Sequence, residues 1–422
     1  MISKTVLLNN FISCEKIKRK DKGRRRKLFS LILCVFVIGF CFFYNMPDKH
    51  AEAAISSATV DNQLSENVKD QLKDLDTGLF DGFIYSLDSS ARGIFGSATF
   101  KEKMEKILSG DMSLSYSGIF SAILDIVFSS AVQMLSLLAS VCAIAILCNL
   151  LSAARSRNSK TGNIVHFICY LSIVLVVITV VYRLVATVTG AISSLNSFMS
   201  LVFPVLLTLM TASGGAAGSA IYQPAIALLC GSVTAIFTGI IVPLFIASLV
   251  LNVVSNLTDN IRVNKFAQFF KSCGLWIVGI CFTVFTAFLS IQGISAATHD
   301  SVSIRAVKYT VSNSIPIVGG YLREGFDLIL GSTVLIKNAV GVTGLILLLA
   351  FALSPFLNML VCSLGLKLAA AVTEPVCDKK IPEFLQSTSK SISLLIAAFL
   401  SVAFMFFITL MLILMTSNSV LI

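Results

Sequence analysis

Between Leu184 and Thr258 the chain carries no Asp, Glu, Lys, Arg or His. This is an uncharged run of about 75 residues, where one membrane-crossing helix needs only ~20. A run of that length belongs in a bilayer. It is also punctuated, because Pro204, the Ser213-Gly214-Gly215 step, Gly218, Pro224, Gly239 and Pro243 all weaken a helix at their positions. Lipid offers no hydrogen bonds to the backbone groups that such breaks release. Each break must therefore be buried against other helices or line a wet cavity. This places a packing or pore-lining core at Pro204, Ser213, Gly214, Gly215, Gly218, Pro224 and Pro243. Gly214 and Gly218 also have the spacing of a close small-residue helix contact.

The rest of the chain has the same character. With 56% hydrophobic and 13% charged residues, it falls well below the ~25% charge of a soluble domain. The fold class read from this is all-α, a polytopic helical membrane protein. The formal net charge of +10 does not point to nucleic acid, because residues 1–53 hold eleven Lys and Arg against four Asp and Glu. Those residues read as a cleaved signal peptide, with a basic stretch at 16–27, an apolar stretch at 28–44 and Ala51-Glu52-Ala53 as the cleavage site. Residues 54–117 follow as an extracytoplasmic helical segment, with ten acidic against six basic residues. Met104, Ile107 and Leu108 fall there at helical spacing. Residues 118–422 form the transmembrane domain.

Within that domain the first span is expected at 119–151. The acid-free cluster Arg155, Arg157 and Lys160 then marks the cytoplasmic side. A second span covers 164–182, with Arg183 snorkelling at its end. Residues 198–210 are short for a span and fit a half-helix or re-entrant hairpin, and 221–254 fit a pair split near Gly239 and Pro243. Residues 260–271 resemble an interfacial helix whose basic residues favour the cytoplasmic side. A span at 273–298 leads into an amphipathic stretch at 299–338. Arg305 and Lys308 line its polar face, and Pro316, Gly319 and Gly320 break it. This stretch reads either as two helices lying flat on the membrane or as a hairpin dipping towards a central cavity. A span kinked at Pro355 over 339–366, a polar loop at 367–390 and a last span at 391–415 complete about seven spans after the leader, with six to eight allowed.

Motifs for catalysis were sought. The sequence has no G-x-x-x-x-G-K-[ST] phosphate loop, no H-E-x-x-H pair and no G-x-S-x-G elbow. His166 and His299-Asp300 read as structural groups near span ends, and the cysteines lie in or beside apolar runs without a C-x-x-C pair. The expectation is a protein that is not an enzyme, with no cofactor, no metal and no nucleic-acid partner. Its contacts are the lipid bilayer and other membrane proteins, and a homo-oligomer is compatible with the small-residue core. A stand-alone transporter using the broken centre as a substrate site is the alternative.

Several stretches, in order, resemble one family. They are Phe203-Pro204 leading to Met210-Thr211-Ala212-Ser213-Gly214-Gly215, then Ile291-Gln292-Gly293-Ile294-Ser295-Ala296-Ala297 and Arg305-Ala306-Val307-Lys308-Tyr309. Ile315-Pro316-Ile317-Val318-Gly319 and Leu335-Ile336-Lys337-Asn338-Ala339-Val340-Gly341 follow. Together they resemble the stage III sporulation protein AE family of endospore-forming bacteria over residues 197–415. The resemblance implies a multi-pass protein of the mother-cell membrane around the engulfed forespore. It implies as partners the other stage III A sporulation proteins and stage II sporulation protein Q, joined in a secretion-like transenvelope channel that supports forespore development. The family brings no agreed catalytic residues. The charged Asp378-Lys379-Lys380 loop, the long leader and the N-terminal region have no counterpart in the resemblance.

Overall fold

The computed structural model describes residues 68, 78–86, 92, 99–109, 116–153, 160–257, 263–314, 319–377 and 379–416. The expected signal peptide lies outside them, as does most of the acidic segment. The regular structure among the described residues is helical. Its order is α1 (Gly78–Ser86), α2 (Phe100–Leu108), α3 (Tyr116–Ala153), α4 (Lys160–Ala212), α5 (Ala216–Ile236), a π-helical turn (Phe237–Ile241), α6 (Val242–Leu257), α7 (Asn264–Ser314), α8 (Gly319–Thr373) and α9 (Lys380–Thr416). Among the described residues six stretches are long and apolar enough to cross a membrane: Phe120–Leu150, Phe167–Ala212, Ala216–Asn256, Asn264–Gly293, Asp327–Thr373 and Lys380–Thr416.

The principal differences from the sequence reading concern where helices stop. Arg183 does not end a helix, because α4 continues through it to Ala212, 53 residues in all, or about 80 Å of helix. Residues 198–210 are accordingly the end of α4 and form neither a half-helix nor a re-entrant hairpin. Neither Pro204 in α4 nor Pro224 in α5 divides its helix. A proline removes one backbone donor, and a long helix packed on neighbours tolerates that loss. The expected split at Gly239 and Pro243 is instead the π-helical turn at Phe237–Ile241, which leads directly into α6. A π turn adds one residue to the helical repeat, so the ladder resumes around the donor that Pro243 lacks.

The true break is at Ser213-Gly214-Gly215. The Gly215 N–H donates to Met210 O at 2.8 Å and the Gly214 N–H to Thr211 O at 3.0 Å, while Gly214 takes a φ of 89°. This pair of bonds is a Schellman motif, which satisfies the last carbonyls of α4 and requires a left-handed residue where Gly214 stands. Gly214 is thus a turn residue. Gly218 lies beyond it in α5, so the two do not share one helix face.

The amphipathic stretch at 299–338 is continuous with the spans on either side, as the ends of α7 and α8, and does not form separate flat helices. Arg305 and Lys308 lie on α7, Gly319 and Gly320 open α8, and Pro316 falls outside the described residues. The expected polar loop at 367–390 is also mostly helical, since α8 runs to Thr373 and α9 begins at Lys380. His299 and Asp300 sit within α7, away from its ends.

The bundle is built around α9. In its apolar stretch 61% of residues are buried, against 11% for Asn264–Gly293 on α7. It packs on α8, α7, α6 and α4. Its buried side chains include Phe384, Phe399 and Phe406, all 0% exposed. Near one end Asn252 Nδ2 donates to Ser391 Oγ at 3.1 Å, the Tyr170 hydroxyl to Val253 O at 2.9 Å, and Lys271 Nζ to Lys390 O. Near the other, the Tyr222 and Thr416 hydroxyls lie 2.8 Å apart. The short helices α1 and α2 are joined by a Phe80–Phe100 ring stack with centroids 4.5 Å apart and by Asp81 Oδ1, which accepts the Phe100 N–H. Phe83 of α1 stacks on Phe198 of α4 at 5.0 Å.

Candidate functional site

Two polar stripes meet on the side of this bundle. On α3, Gln133, Ser136 and Ser140 recur at the three- and four-residue steps that share one helix face. On α4, Thr179, Arg183 and Thr187 do the same. Together with Ser130 of α3 and Asn358 of α8, they line a cleft of about 630 Å³. The cleft is tied shut on its inner side, where Ser130 Oγ donates to Asn358 Oδ1 and joins α3 to α8. Met134 packs below it against the bare backbone at Gly365, where a Cβ would stand 3.0 Å from the methionine sulfur.

Several hydroxyls around the cleft already use their protons. Ser140 donates to Ser136 O, Thr179 to Leu175 O and Thr187 to Arg183 O, at 2.9, 2.9 and 3.0 Å, as serine and threonine commonly do within helices. The Arg183 guanidinium and the Gln133 amide are among the donors that the lining offers an incoming group. The lining contains no Asp or Glu, so Arg183 is its only charge. On the same two helices Phe128, Leu135, Leu175 and Tyr182 are exposed. Chemically this arrangement can bind and orient an anion.

A second charged group lies between α8 and α9. Lys337 is 0% exposed, and its Nζ donates to Ile413 O at 3.4 Å and Leu414 O at 3.2 Å. These are among the last four carbonyls of α9, which have no partner within their own helix. A cation there also meets the negative end of the helix dipole. Close approach makes the contact possible, because Gly341, one turn along α8, leaves room for the Leu414 side chain that a Cβ would strike.

A third feature concerns surface texture. On α7 the exposed residues include Phe266, Phe269, Trp276, Val284 and Ile291, a bulky apolar face suited to lipid. On the second half of α4 they include Ser193, Ser197, Ser200, Pro204 and Thr208, and on α5 Ala220, Gln223, Ala227 and Gly231, with Leu228 the large apolar exception. This face is small and polar. Ser197, Ser200 and Thr208 satisfy themselves on the carbonyls four residues back.

The family description "Stage III sporulation protein AE" matches residues 98–417. The chain belongs to the stage III sporulation protein AE family. Among curated proteins, the stage III sporulation protein AE of Bacillus subtilis (strain 168) is 30% identical over 207 residues. That alignment covers 49% of this chain and 52% of the relative, so the chain spans about half the length of the curated relative it matches. No solved structure matches. The match reaches further towards the N-terminus than the quoted motifs, taking in α3 and the first half of α4. The matched residues therefore include those that line the cleft and not only the region after residue 197.

The sequence-predicted residues fall in two places. Pro204, Ser213, Gly214, Gly215, Gly218 and Pro224 gather at the α4–α5 hairpin, with Pro204 and Pro224 exposed and Ser213 and Gly218 buried. Pro243, beyond the π turn, stands apart from them. Arg305, Lys308, Gly319 and Gly320 lie on the α7–α8 hairpin. Arg183 stands within α4 and lines the cleft, and Lys337, quoted in the sequence only as part of a family-like stretch, is buried against α9. No Gly, Pro or Asn beside Arg183 could make a turn there, so the helix runs on through it. That missing turn residue was the available signal.

Proposed function

We propose that the chain is a non-enzymatic membrane subunit of a sporulation transenvelope channel. It sits in the mother-cell membrane around the forespore and acts with the other stage III A sporulation proteins and stage II sporulation protein Q. Membership of the stage III sporulation protein AE family supports the sporulation part of this reading. The observation that carries the subunit part is the small, polar exposed face of α4 and α5. Such faces let helices approach closely where lipid supplies no hydrophobic drive for association, and the bulky face of α7 provides the contrast within one molecule. The α4–α5 hairpin then meets neighbouring subunits or lines the conduit.

The test is genetic and structural together. Deleting the gene should arrest spores after engulfment, and replacing Ser197 and Ser200 with Leu should give the same arrest while the protein still accumulates in the membrane. Normal spores from the deletion strain would refute the reading. Substrate flux through liposomes holding this chain alone would favour a stand-alone transporter instead.

A further inference from the structure

The cleft between α3, α4 and α8 is not accounted for by subunit packing. We propose that it is a binding site for the head group of an anionic phospholipid, with Arg183 as the cationic anchor. Three observations converge. First, an arginine stays charged at any physiological pH and is costly within a span, where it persists with a partner or a polar cavity. Arg183 lies inside the apolar stretch Phe167–Ala212, and its cavity holds no carboxylate. Among the described residues none of the cavity's lining is acidic, and an anion entering from the membrane would supply the counterpart. Second, the size is right. A volume of about 630 Å³ falls in the range of small-ligand pockets and is too small for a partner helix, whose own diameter is about 10 Å over many turns. Third, the surround is amphipathic in the required sense. Gln133 offers an amide donor beside the guanidinium, while Phe128, Leu135, Leu175 and Tyr182 on the same helices are exposed and apolar. A free anion has no use for that surface, whereas the acyl chains of a lipid do. The planar guanidinium also suits two phosphate oxygens at once.

The experiment uses the full chain in phosphatidylcholine vesicles containing a trace of spin-labelled phosphatidylglycerol or spin-labelled phosphatidylcholine, and reads the motionally restricted fraction of each label. The wild type should hold phosphatidylglycerol with about a five-fold preference, the size expected for one basic side chain against an anionic lipid. Arg183→Gln should bring the preference close to one, and Arg183→Lys should keep most of it. Ser136→Leu, which narrows the cleft without touching the charge, should lower it by steric exclusion. Thus the proposal does not depend on one variant folding, and gel filtration reports the state of each. Equal restriction of the two lipids by the wild type would overturn it, as would an unchanged preference in Arg183→Gln. Loss of the preference on adding inorganic phosphate at constant ionic strength would show a site for the free anion, and would equally overturn the lipid assignment.

Discussion

Lys337 shows how much one side chain is asked to do. It is fully buried, and its ammonium satisfies carbonyls that α9 cannot satisfy itself. Lys337→Met should therefore lose two charge-assisted hydrogen bonds and strand their acceptors, at a cost of roughly 1.5–3 kcal/mol. Thermal melting of the detergent-solubilised chain would measure it, and an unchanged midpoint would show that the contact is dispensable. Outside the spans, Lys103 on α2 has its pKa lowered, first by burial and then by the neighbouring Lys106. Its folded-state value lies below the unfolded one, so the charged form opposes folding below the folded pKa. Stability should rise as pH climbs from there towards the ordinary lysine value, and Lys103→Met should remove that part of the pH dependence. Melting curves of the two proteins between neutral and alkaline pH would reveal it.

Among the elements, the α4–α5 hairpin depends on a single backbone conformation. Gly214 holds a φ of 89°, where an alanine is disfavoured by about 1–2 kcal/mol. Gly214→Ala should lower stability by roughly that amount, and Gly214→Asn by less, because asparagine tolerates the left-handed region. Equal losses for the two would indicate that space, and not φ, decides the position. The α8–α9 pair depends on space. Gly341→Ala forces the Leu414 side chain aside and should cost about 1–3 kcal/mol by overpacking. Because Gly341 and Lys337 face the same end of α9, their double variant should depart from additivity, and a double-mutant cycle reads this directly.

At the scale of the whole molecule, six alternating crossings by the apolar stretches of the described residues would put the α4–α5 turn and the α8–α9 turn on opposite sides of the membrane. Cysteines introduced at Ala212 and Glu374, both exposed, should react with a membrane-impermeant maleimide from opposite faces. Labelling of both from one side would reject the alternating arrangement. Much of this architecture is legible in the amino-acid order. Low charge and long apolar runs demand helices in lipid, since no other open structure satisfies its backbone there. The Ser213-Gly214-Gly215 break is legible too, because only glycine fits a left-handed cap without strain. The ordered motifs from Phe203 to Gly341 point to the family. Pro204, Pro224 and Pro243 were misleading as breaks, because a proline weakens a helix locally while packing along α9 and one π turn hold the helices together. Arg183 and Lys337 were equally opaque. Whether a charge in an apolar run ends a span, caps a neighbouring helix or anchors a ligand depends on what lies beside it in space. Sequence by itself determined that this chain is a helical membrane protein of one family. The tertiary structure alone decided which helices are continuous, which face is small and polar, and that α3, α4 and α8 enclose a cationic cleft, because helix continuity and side-chain surroundings are set by packing between residues far apart in the chain.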